Sequence, residues 1–153
     1  MPQFNIRVYG ILQDQHKRIL VSDEFIRGDY YTKFPGGGLE FGEGTRDCLK
    51  REFKEETKLD ITVGKLIYTT DFFQISAFNK TDQIICVYYL VYANDVSSLK
   101  TSDIPFDFSE EHKIHKTSVP ESFRFIEWNN LNETSVTLPM DKIVVKILKE
   151  SFG

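Results

Sequence analysis

Between residues 34 and 59 a chain-breaking run and a helix-forming run stand in close succession, and this pairing limits the architecture more than any other feature. Pro35-Gly36-Gly37-Gly38 cannot continue a regular strand or helix on side-chain preference. Residues 46–57 contain strong helix formers and neither Gly nor Pro, with Gly44 or Thr45 placed to cap them. A tight turn must therefore deliver the chain into a helix within a few residues.

The flanks supply strands. Residues 4–12 and 17–25 are rich in β-branched and aromatic residues, separated by the polar Gln13-Asp14-Gln15-His16, and are expected to pair as a hairpin. Residues 30–34, 61–75, 83–93 and 123–128 read as further strands. Residues 138–152 start at Pro139 and space Ile143, Val144, Ile147 and Leu148 as an amphipathic helix. Strands, a helix, more strands and a last helix predict a mixed β-sheet with helices packed on it, in the α+β or α/β class. The 153 residues are expected to form one domain.

Composition narrows the function classes. Apolar residues make up 41% and charged residues 27%, as in a globular rather than a disordered chain. The formal net charge of −4 gives no general attraction for nucleic acid or anionic membrane, so any phosphate must be bound locally. Cys48 and Cys86 are too few and too isolated for a disulfide framework. With no basic and apolar leader at the N-terminus and no run long enough to span a bilayer, a cytoplasmic setting is expected.

The chemistry concentrates on the helix. At about 100° per residue, Glu52, Glu55 and Glu56 share a sector of roughly 100°. Like charges at this spacing repel, and near the C-terminal end the helix dipole adds to the cost. Arg51 and nearby lysines offset part of it. A hard divalent cation would offset more, since Mg²⁺ combines a few carboxylate oxygens with phosphate oxygens. The glycine run, Gly36 to Gly38, can bring backbone close to a ligand, form an anion-binding nest or offer a carbonyl to a metal. Taken singly, an acidic helix face is ordinary solvated surface and a glycine cluster an ordinary turn. Their fixed register sets them apart.

That register resembles the Nudix box, G-x5-E-x7-R-E-U-x-E-E-x-G-U with U a bulky apolar residue. Gly37, Glu43, Arg51, Glu52, Glu55 and Glu56 match its fixed letters, with Phe53 and Leu59 at the apolar positions. Lys58 departs from it, standing where the family has the glycine that ends the helix. Phe34-Pro35-Gly36-Gly37 is similar to the usual entry to the box, and Trp128-Asn129-Asn130-Leu131 to a late tryptophan segment.

The resemblance implies an α/β/α sandwich and a MutT-like, Mg²⁺- or Mn²⁺-dependent pyrophosphohydrolase acting on a small nucleotide-like substrate. It implies metal ligation by Glu52, Glu55, Glu56 and the Gly36 carbonyl. Arg51 would orient Glu52 or Glu43, with Glu40 and Glu43 as auxiliary groups of the loop. Gly36, Gly37, Gly38 and Glu40 are the substrate-binding candidates. Glu52 is one candidate for the general base; Glu121, where many relatives carry an additional acid, is another, set against an ordinary surface role. The alternative is a Nudix module that binds or regulates without hydrolysis, but such modules often lose box glutamates, and this chain keeps them.

Other residues read as structural. Cys48 and Cys86 are expected to be buried and inert. His112 and His115, beside Glu110 and Glu111, read as solvated loop groups rather than a metal site. Phe72, Phe73, Phe78, Tyr88 and Tyr89 read mostly as core. The aperiodic residues 94–118 are expected to border the substrate cleft or a homodimer contact.

Overall fold

A computed structural model of the chain describes residues 1–109 and 119–152. Its elements are β1 (Gln3–Leu12), β2 (Arg18–Ile26), β3 (Asp29–Lys33), β4 (Gly36–Gly38), α1 (Thr45–Thr57), β5 (Thr62–Thr69), β6 (Asp82–Tyr92), β7 (Glu121–Glu127), two short 3-10 turns and α2 (Pro139–Ser151). The chain belongs to the α+β class, and its contacts divide it into two units. One joins Met1–Leu12 with Pro35–Leu99; the other joins Gln13–Phe34 with Lys100–Gly153.

The first unit holds a mixed four-stranded sheet in the order β4-β1-β6-β5. β1 runs parallel to β6 and antiparallel to β4, in a register that sets Arg7 opposite Gly38, Val8 opposite Gly37 and Tyr9 opposite Gly36. The glycine run thus ends one strand and forms another. α1 packs on this sheet with Cys48, Leu49, Phe53 and Thr57 buried. A Cβ on Gly10 of β1 would collide with the Phe53 ring, so this glycine lets the helix lie close to the strand.

The second unit holds an antiparallel sheet in the order β3-β2-β7. β2 takes β3 and β7 as its partners, so the expected hairpin with β1 does not form. Asp14 instead closes a turn, accepting from the Arg18 and His16 backbone N–H groups, with Lys17 in the left-handed region. α2 starts at Pro139 and buries Met140, Asp141, Val144, Val145 and Leu148. Its start is tied to β3: Thr137 N–H donates to Thr32 O at 2.9 Å, and Phe34 N–H donates to Asp141 Oδ2 at 3.3 Å. Lys149 Nζ lies 4.4 Å from the Trp128 ring centre and donates to the Trp128 carbonyl, which fixes the late tryptophan segment on α2.

The strand expected over residues 61–75 is shorter, ending at Thr69. Phe72 and Phe73 fall on the connection beyond it and are exposed, whereas Tyr88 and Tyr89 in β6 are buried as expected. Phe78 is half-buried. Of residues 94–118, those up to 109 are irregular, anchored by a bridge between Thr101 and Phe123. Glu110, Glu111, His112 and His115 lie outside the described residues. No described helix is long and apolar enough to cross a membrane.

Candidate active site

The site in the first unit is built around Arg51. Its Nη2 donates to Glu43 Oε1 at 2.7 Å and its Nε to Glu43 Oε2 at 3.0 Å, a bidentate clamp. Nη1 donates to Glu52 Oε1 at 2.9 Å and reaches Glu55 Oε2 at 3.4 Å. Nη2 also donates to the Gly38 carbonyl at 3.0 Å, and Glu40 Oε1 lies 3.8 Å from Nη1. One guanidinium thus ties β4, the loop after it and the second half of α1 into one cluster. The loop closes on itself as well, since Glu40 N–H donates to Glu43 Oε1 at 2.9 Å.

The electrostatics follow from those contacts. Hydrogen bonds from Arg51, then from the Glu40 backbone, hold the Glu43 carboxyl down at about 2. The same bonds, Glu43 first, push the Arg51 guanidinium further up, against desolvation. Burial, then the nearby Glu43 carboxylate, pushes the Cys48 thiol up to about 12. Cys48 is a buried free thiol, and it is no nucleophile at neutral pH. Cys86 is likewise buried and forms no disulfide.

The glycines have steric reasons to be there. Gly36 has φ 151°, and a Cβ on it would run into the Val8 carbonyl and Tyr9 Cα. A Cβ on Gly37 would occupy the place of the Glu52 carboxyl group. The strip is therefore a cradle in which Glu52 lies against bare backbone. Glu56, half-buried on the same helix, has its Oε2 buried. Lys58 takes the left-handed conformation at the helix end, φ 64°, with its N–H on Lys54 O. A lysine thus does the terminating work expected of glycine, and Leu59 follows into the core.

Among the described residues, no three His, Cys, Asp or Glu side chains are grouped closely enough to cage a metal ion. A hard cation needs no such cage, because Mg²⁺ binds through one or two carboxylates and completes its shell with water and phosphate oxygens. The all-oxygen donor set and the glycine cradle that receives Glu52 both fit such an ion. Glu121 lies in the second unit, where it opens β7 opposite Glu24.

One residue escaped the reading of the sequence. Arg7, half-buried in β1, faces Gly38 across the β1–β4 pair. Its signal was a charge inside an otherwise apolar strand run, Ile6-Arg7-Val8.

Comparison with known proteins agrees with this geometry. The NUDIX domain family model matches residues 1–146. Among solved structures, a MutT protein from Methanosarcina mazei Go1 is 15% identical with a TM-score of 0.67, covering 99% of this chain and 96% of that one. A DNA mismatch repair protein MutT from methicillin-resistant Staphylococcus aureus 252 is 24% identical with a TM-score of 0.60, covering 99% and 100%. An ADP-ribose pyrophosphatase from Streptococcus suis 89-1591 is 14% identical with a TM-score of 0.59, covering 96% and 92%. At these identities the structures speak for the fold. The family model spans nearly the whole chain and carries the assignment further, to a family of hydrolases that generally use divalent metals. The box letters, the Arg51 clamp and the matched model agree: this chain belongs to the Nudix hydrolase family.

Proposed function

We propose that the chain, acting as a single Nudix domain, hydrolyses a diphosphate linkage in a small nucleotide derivative, with Mg²⁺ or Mn²⁺ bound through Glu52, Glu55, Glu56 and the Gly36 carbonyl. The observation that carries this reading is the Arg51 clamp. It fixes Glu43 and Glu52 by charge-assisted bonds and holds α1 against the bare backbone of Gly37 and Gly38. When bound, the divalent ion would neutralise diphosphate charge and make it easier for a water to give up the proton it must lose before attacking phosphorus.

The protein's own part is positioning. Arg51 orients Glu52, and Glu55 Oε2 on the next turn stands within reach of the same guanidinium. Gly36, Gly37 and Gly38 are the backbone offered to the substrate; Glu52 fills the cradle at Gly37, and the side of Gly38 is open up to Arg7 Nη1. Glu40, exposed at the loop, is available to the substrate side of the site. A carboxylate takes the water's proton, and the two candidates are Glu52 and Glu121. The pH–rate profile of each Glu→Gln variant separates them: loss of the acidic limb identifies the base.

One matched structure is named an ADP-ribose pyrophosphatase, which puts a nucleoside diphosphate derivative among the substrates to try. The test is product release from nucleoside triphosphates, dinucleoside polyphosphates and nucleotide sugars, with Mg²⁺, Mn²⁺ or chelator. Turnover of at least one class that chelator abolishes is the expected result. No turnover of any class with either metal would overturn the proposal and favour a module that binds without hydrolysis.

A further inference from the structure

Among the described residues, Arg7 has no carboxylate at ion-pair distance. Its Nε donates to the Tyr9 hydroxyl at 2.9 Å, a neutral partner. The other cations of the first unit either meet a carboxylate or, like Arg46 and Lys58, are exposed to solvent. Arg51 is saturated by Glu43, Glu52 and the Gly38 carbonyl, Arg46 donates to Val63 O, and Lys54 pairs with Asp60. Lys58 donates to the Glu55 carbonyl, and Lys50, Lys65 and Lys80 are exposed.

Position gives this a meaning. A Cβ on Gly38 would stand 3.5 Å from Arg7 Nη1. The neighbouring Gly37 has the Glu52 carboxyl group in its cradle, and the Gly38 carbonyl holds Arg51. The two-glycine strip therefore carries a carboxylate at one residue and a free guanidinium edge at the next. Burial opposes the Arg7 charge, yet the Tyr9 hydroxyl, then Cys86 and Glu52, outweigh it and keep the group firmly protonated. A half-buried charge with the Glu52 carboxylate nearby but no anion in ion-pair contact costs free energy in the empty protein, and an incoming anion recovers part of it. The planar fork of a guanidinium matches two oxygens of a phosphate, and the Tyr9 bond fixes its orientation beforehand.

We propose that Arg7 is a substrate-binding residue that grips a phosphate of the diphosphate-bearing substrate from β1, beside the glycine strip. This rests on the diphosphate reading above, but its test does not depend on turnover. Methylenediphosphonate, a diphosphate whose bridging oxygen is replaced by CH₂, is titrated calorimetrically into the full chain with Mg²⁺. Wild type is compared with Arg7→Gln and Arg7→Lys, and each variant is checked by thermal melting. Loss of a charge-assisted contact weakens binding about 10- to 100-fold in Arg7→Gln. Arg7→Lys keeps the charge but not the fork and falls between. With an active substrate, KM should rise by a similar factor while kcat falls less.

If Arg7→Gln does not fold, Arg7→Lys decides: a loss of about threefold or more supports the contact, and wild-type affinity overturns it. Unchanged affinity and KM in folded Arg7→Gln, with wild type turning over substrate, overturn the Arg7 contact and leave the hydrolase reading standing. Weakened diphosphonate binding in a protein that hydrolyses nothing overturns the hydrolase reading and leaves the anion contact standing. A wild type that binds no diphosphonate overturns the proposal.

Discussion

Two arginine–carboxylate clusters in this molecule use the same chemistry and reach different balances. In the second unit, Asp23 is fully buried and takes a bidentate grip from Arg124, at 2.9 and 3.0 Å. The Thr32 hydroxyl and the Phe106 N–H complete its shell at 2.6 and 3.2 Å. One charge meets one charge, and the acceptor sites are filled. In the first unit, Arg51 alone faces Glu43, Glu52, Glu55 and the more distant Glu40. That cluster has surplus negative charge and an exposed fringe, with Glu55 and Glu40 largely in solvent. A closed, neutral cluster has nothing left to offer a ligand and serves the fold. An open, anionic one has charge left over, which the proposed cation would neutralise.

The comparison breaks first at Asp23. Removing one partner of a buried pair strands the other, and the usual cost is about 3–5 kcal/mol. Asp23→Ala should lower unfolding free energy by about that amount, measured by urea denaturation, and metal should not restore it. A loss under about 1 kcal/mol would mean that water relieves Arg124 and that the cluster is not closed.

The open cluster should respond in the reverse sense. Glu55→Gln keeps shape and removes one of the crowded charges. Activity should fall at least about 100-fold, while apo stability stays level or rises as like-charge repulsion is relieved. Mg²⁺ or Mn²⁺ should raise the wild-type Tm more than that of the variant. Full activity with unchanged metal stabilisation would place the cation elsewhere.

Much of the open cluster was legible in the sequence because it is local. Glu43, Arg51, Glu52 and Glu55 fall within one loop and one helix, so spacing alone puts them together. The closed cluster was not legible. Asp23, Thr32, Phe106 and Arg124 come from distant segments, joined by β2–β3 and β2–β7 pairings that periodicity does not specify. Arg7 was missed for the same reason, since its meaning depends on β4 being its neighbour. The hairpin error has a related cause. A turn like that at Asp14 and Lys17 serves equally to reverse a strand within one sheet or to send it to another. The outward Phe72 and Phe73 were misread because β-propensity marks a residue type and not where the strand ends.

A smaller effect tests the frame of the open cluster at the end of α1. Lys58 sits at φ 64°, where a side chain costs roughly 1 kcal/mol relative to glycine. Its Nζ recovers a little by donating to the Glu55 carbonyl at an exposed position. Lys58→Gly should raise stability by up to about 1 kcal/mol without changing metal affinity. A weaker metal response in that variant would show that the helix end, and not only its carboxylates, tunes the site.

The effect sharpest in pH belongs to Glu43. Its carboxyl is held at about 2, against an ordinary value of 4.5, chiefly by Arg51. A depressed folded-state pKa means that the unfolded chain binds the proton first as acid is added. The stabilisation is therefore complete above about pH 4.5, declines below it, and is gone near pH 2. Glu43→Gln removes this dependence while leaving Arg51 its bonds to Glu52 and the Gly38 carbonyl. The Tm of wild type should exceed that of the variant at neutral pH, and the two curves should converge as pH falls from 4.5 towards 2. The Asp23 pair lies outside this cluster, so its contribution is common to both curves and cancels in the difference. Parallel curves through that window would mean that Glu43 is no more tightly held than an exposed glutamate. The Arg51 clamp would then be looser than its 2.7 Å bond indicates.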